Sequence, residues 1–110
     1  MMKLAISPAA AGLVRALLAR ASVPRERVLL STYRSTDWHS LTFAGERHEI
    51  GLRVAGPDAA AIVERMLRGI GEAEFDIFGQ IMADIAVEHP PHTHRDGSIS
   101  VGIEALTIAA

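Results

Sequence analysis

Three of the five histidines in this 110-residue chain, His89, His92 and His94, stand within six positions, in the stretch "VEHPPHTHRDGS". Neutral imidazole is a good ligand for zinc, nickel or copper. Residues two apart in an extended segment point the same way, so His92 and His94 are placed to share one ion, with His89 or Glu88 as third ligand. The plainer reading is a solvated hairpin tip: Pro90-Pro91 stiffens the path, and Asp96-Gly97 supplies ordinary turn chemistry. No cofactor is expected.

A second group of polar residues is set out by alternation. Trp38, Arg47, Arg53, Met82, Asp84 and Glu104 fall on the polar sides of their segments, where they would form a ligand-binding or subunit-contact face. Asp84 and Glu104 could do acid–base work only in an enclosed site that splits their pKa values. An open sheet face does not enclose them, so catalysis is not assigned to any residue. Two readings of Trp38 stand: outward on the polar face, or turned inward by an irregularity near Arg34–Asp37. His39 and His48 fall on the apolar side, as hydrogen-bonded imidazoles in the core. None of Ser31, Ser35, Ser40, Ser98 and Ser100 sits in a Gly-x-Ser-x-Gly elbow.

The elements that position these residues follow from periodicity. Ser7-Pro8 starts a helix over 8–21, with Ser as cap and Pro in the first turn. Its stripe is Leu13, Val14, Leu17, Leu18 and Ala21. Gly56-Pro57-Asp58 opens a second helix over 57–70, with the stripe Ile62, Val63, Met66, Leu67 and Ile70. The rest reads as strands. Residues 28–44 and 47–55 pair through a turn at Gly45-Glu46, which sets Phe43 opposite His48, Leu41 opposite Ile50 and His39 opposite Leu52. Residues 79–88 and 98–108 pair through a turn within 90–97. Ile81, Ala83, Ile85 and Val87 then face the core. Loop 71–78, with Phe75, Ile77 and Phe78, closes one end of it.

The two halves are alike. "PAAAGLVRALLAR" from Pro8 aligns with "PDAAAIVERMLRG" from Pro57, 49 positions on. Helix–strand–strand occurs twice, which predicts a single α+β domain over 1–110. Two helices would lie on one face of a four-stranded antiparallel sheet, in a permuted ferredoxin-like arrangement.

"DWHSLTFAGERHEI" and "GQIMADIAV" resemble segments of a group of small uncharacterised proteobacterial proteins. The resemblance covers most of the chain and implies no activity and no residue role.

Composition narrows the classes. The net charge is −2 with no basic block, which speaks against nucleic acid as a partner. Without cysteine there is no disulfide, thiolate site or cysteine nucleophile. Pro8, Arg15 and Arg20 interrupt the apolar start, so neither a signal peptide nor a membrane span is expected. The leading expectation is a non-enzymatic, cytoplasmic, self-associating domain. It would form a homodimer through the polar sheet face or an edge strand beside it, and bind a protein partner or small ligand. The alternative is a metal-binding protein using the 89–94 segment. A small enzyme with acid–base residues on the sheet face is the third reading.

Overall fold

The computed structural model describes residues 6–110, so Lys3 and the first part of the apolar start lie outside it. Helix α1 runs Pro8–Ala21, and Ser7 caps it, its side chain accepting from the Ala10 amide at 3.2 Å. The helix stops where Ser22 turns left-handed (φ 52°) and its amide reaches the carbonyls of Ala19 and Leu18. Helix α2, Ala59–Leu67, is shorter than the 57–70 expected. Gly69 (φ 58°) breaks it, and a 3₁₀ turn at Ile70–Glu72 replaces its last turn. Asp58 does not cap it through its side chain, being held instead in an ion pair with Arg27. Neither helix is long and apolar enough to cross a membrane, among the described residues.

Two reciprocal contacts fasten the helix ends. Arg20 of α1 donates to the carbonyls of Met66 (3.1 Å) and Arg68 at the end of α2. Arg65 of α2 donates to the Ala21 carbonyl at the end of α1, at 3.0 Å. Carbonyls that helix termini leave unpaired are thereby satisfied.

The strands are β1 (Val28–His39), β2 (Ala44–Val54), β3 (Gln80–Thr93) and β4 (Ile99–Ala109). They form one antiparallel sheet in the order β1-β2-β4-β3. The second strand of each half is central and the first is an edge. Ile50, Leu52 and Val54 of β2 alternate into the same core as Ile99, Val101, Ile103 and Ala105 of β4, and the helix stripes pack there too. Leu13, Leu17, Ile62 and Met66 are completely buried. Each such side chain contributes roughly 1.5–3 kcal/mol of burial free energy.

The first hairpin corrects the expected register. Its turn lies at residues 40–43, not Gly45-Glu46: the Ser40 amide bonds the Phe43 carbonyl (2.9 Å), and the Phe43 amide bonds Ser40 Oγ (3.1 Å). His48 therefore faces Ser35, Ile50 faces Tyr33 and Leu52 faces Leu30. Leu41, Phe43 and His39 are exposed and not in the core. The reason is ladder length. The shorter hairpin would leave the start of β1 without β2 partners, whereas the observed one pairs it down to Val28↔Val54. The irregularity lies at Leu30/Thr32 and not near Arg34–Asp37.

The second hairpin turns at 94–98, where the His94 amide bonds the Ser98 carbonyl at 2.8 Å. Thus Pro90-Pro91 belongs to β3 and not to the turn, on an edge strand that tolerates missing amide donors. A bulge between Met82 and Asp84 reverses the expected facing at the start of β3. Met82 packs against the core, while Ile81 points away and is exposed. Ile77 is buried and Phe75 packs against the core, but Phe78 is fully exposed, contrary to its expected role as an end cap. Gly12 lets α1 approach the loop: a Cβ there would stand 2.7 Å from Ile77 Cγ2.

Candidate functional site

The sheet face turned away from the core is organised in cross-strand rows. Trp38, Gly45, Ile108 and Ile81 form the row at one end. Next come Thr36, Arg47, Leu106 and Asp84, then Arg34, Glu49, Glu104 and Ala86. Thr32, Gly51, Gly102 and His89 follow, and beyond them Arg53, Ser100 and His92. Trp38 thus lies outward, half-buried, opposite a glycine. Gly45 is required there, because a Cβ would fall 2.0 Å from the Thr107 carbonyl oxygen.

The end that carries Trp38 is apolar. Ile81, Phe43, Leu41 and Phe78 are exposed there, the last two completely. The middle is charged and internally matched. Arg47 pairs with Glu104 at 3.2 Å and Arg34 with Glu49 at 3.6 Å. Arg53 donates to Ser98 Oγ at 2.8 Å and reaches Asp96 at 3.3 Å. Hydrogen bonds from the Ser98 side chain and amide, then the Arg53 charge, hold the Asp96 carboxyl below its ordinary pKa. Asp84 has no ion-pair partner among the described residues.

Gly51 and Gly102, side by side on the central strands, floor a hollow of about 330 Å³ between Thr32, Glu49, Glu88, His89, His92 and Ser100. A Cβ on Gly51 would stand 2.3 Å from Thr32 Oγ1. The hollow escapes sequence reading because the two glycines are neighbours only once β2 and β4 are in register.

The three histidines sit on and just past the end of β3. His89 and His92 face outward, and the His92 and His94 rings meet edge-on with centroids 4.7 Å apart. His94 Nε2 hydrogen-bonds Ser100 Oγ at 2.5 Å, and His89 Nε2 stands 3.8 Å from Glu88 Oε1. Among the described residues no three His, Asp or Glu side chains are grouped to hold a metal ion. Replacing His92 and His94 together by Ala is expected to lower stability by no more than about 1.5 kcal/mol, since His92 is exposed and the half-buried His94 gives up one hydrogen bond to Ser100. Zinc should leave the melting temperature of both proteins unchanged in differential scanning fluorimetry, and a zinc-dependent rise lost in the double variant would overturn this.

His48 differs from the other histidines. It is completely buried, with Nδ1 2.6 Å from Ser35 Oγ and Nε2 2.9 Å from Thr107 Oγ1. Burial pushes its pKa below the ordinary histidine value, and nearby Glu46 opposes this. Its place is in the core, where both ring nitrogens are satisfied, and it does not open onto the outer face. The chain matches no protein-family model, no curated protein and no solved structure.

Proposed function

We propose that the chain is a small self-associating domain, a permuted ferredoxin-like unit with both helices on one side of its sheet, and that the opposite sheet face is its contact surface. The strand order β1-β2-β4-β3 and the common core of helices and strands support the arrangement. The observation that carries the function is the open face with its apolar end. The molecule is only 22 Å thick along its shortest axis, room for two layers, so among the described residues no third layer covers the outer side.

The occupant that fits is a second copy. The face is balanced, with Arg34, Arg47 and Arg53 among Glu49, Asp84 and Glu104. A balanced surface has little pull on a phosphate backbone, whereas a two-fold contact needs a patch that complements itself. The area is adequate. Strands of about 11 residues at ~3.3 Å each, four abreast at ~4.8 Å, offer roughly 700 Å², near the ~800 Å² per partner of a standard interface. Trp and Arg are also the residues that concentrate binding energy at interfaces.

Sedimentation velocity is the test. A dimer at micromolar concentration is expected, and a monomer across that range would overturn the reading.

A further inference from the structure

The two halves can be compared groove by groove. Beneath α1, beside β1, Ala11, Val14, Arg15 and Leu18 line a crevice of about 220 Å³. Beneath α2, the groove is lined by Ala60, Val63, Glu64 and Leu67. These are equivalent positions, 49 residues apart, in the helix alignment. The grooves share their apolar walls and differ in charge: Arg15 stands where the second half has Glu64.

Their electrostatics differ accordingly. Glu64 is neutralised by Arg68, which also lines its groove. The first crevice has a second arginine, Arg25, and neither Arg15 nor Arg25 has an ion-pair partner among the described residues. Residues 1–5 contain no acidic side chain either, and carry Lys3. The crevice reaches inward past the half-buried Val28 and Leu30 to the buried Leu52. An apolar cavity of ~150 Å³ already holds a benzene ring, so this one takes a somewhat larger apolar body.

We propose that the crevice between α1 and β1 binds a small amphipathic carboxylate, its apolar body against Val14, Leu18, Leu30 and Leu52 and its charge met by Arg15 and Arg25. Guanidinium forks match carboxylate geometry, and the apolar walls account for the rest of the ligand. The rival occupant, the chain's own first five residues, brings Lys3 towards two arginines and is disfavoured by like charge. The site is on the helix side, so it stands or falls independently of self-association through the outer face.

The test is an NMR titration of the full chain with octanoate, with phenylpropionate as the aromatic counterpart and octylamine as the cation of equal chain length. Saturable shifts centred on Val14, Leu18 and Leu30 are expected with octanoate, phenylpropionate or both, and whichever binds more tightly identifies the apolar body. Arg15→Glu, which gives α1 the charge α2 carries, should weaken binding about tenfold or more, because attraction at the headgroup becomes repulsion. Arg25→Gln should lose less, in the same direction, and both variants should keep the wild-type spectrum elsewhere. Absence of saturable shifts at millimolar carboxylate would overturn the proposal, as would equal binding of octylamine. Binding that appears only after removal of residues 1–5 would also overturn it, by assigning the crevice to the chain's own segment.

Discussion

His48→Ala is expected to lower the stability of the fold by about 2–4 kcal/mol, combining the cavity left in the core with the loss of partners for the buried Thr107 hydroxyl and the half-buried Ser35 hydroxyl. Those hydroxyls belong to Ser35 and Thr107, on the strands either side of β2, so the imidazole joins three strands through its two nitrogens. No buried side-chain nitrogen or oxygen among the described residues lacks a partner, and the substitution would break that condition at Thr107 Oγ1. The pH dependence has a definite sign. Burial holds the folded-state pKa of His48 below the unfolded value of about 6.5. Between those two values the unfolded chain binds the extra proton and the folded chain does not. Stability therefore falls as pH drops from about 6.5 towards the folded pKa, and His48 contributes no slope above that window. Urea denaturation at neutral and mildly acidic pH, on wild type and His48→Ala, isolates this contribution as the difference between the curves. Equal slopes in the two proteins would contradict the assignment.

Trp38→Ala is expected to weaken self-association by about 2 kcal/mol or more, roughly thirtyfold in Kd, where the two copies meet with this ring at the centre of their contact, the effect of truncating an aromatic anchor. Trp38 stands at the end of the outer face where Ile108 and Ile81 complete its row. Its cross-strand partner is Gly45 and it stands outside the core cluster, so little of the fold rests on it. Ile81→Asp should act in the same direction by placing an unpaired charge in the contact. Sedimentation velocity on both variants is the measurement. If both dimerise as wild type does, the contact lies elsewhere.

How much of this was legible in the sequence depended on how local each signal was. Helix α1 was read with its bounds because Ser7, Pro8 and the stripe from Leu13 to Ala21 all act within the segment. The alternation of β2 and β4 placed His48 and Ile50 inward for the same reason. The hairpin turn was misplaced because Gly45-Glu46 makes a good turn on its own. What overrules it is the longer ladder to Val28, a property of the whole pair of strands. Likewise one bulge after Met82 exchanged the facing of Met82 and Ile81, and alternation cannot see an inserted residue. Pro90-Pro91 reads as a loop until β3 is known to be an edge. Within the candidate site the outward charges were found from period alone. The glycine-floored hollow needed the β2–β4 register, and the α1 crevice needed the tertiary packing.

The edge strands differ in a way that bears on stoichiometry. β3 loses two amide donors at Pro90-Pro91 and departs from regular register at Met82/Asp84, Val87/His89 and His89/His92. β1 contains no proline and pairs regularly from Thr32 to His39. Growth of a sheet by addition of further molecules needs a usable edge on both sides of every copy. The β1 edge is the more regular of the two, so two copies that paired through their edges would do so most readily β1 to β1, leaving only the interrupted β3 edge on each. Edge-to-edge assembly, if it occurred, would therefore favour termination at two copies over propagation into a filament.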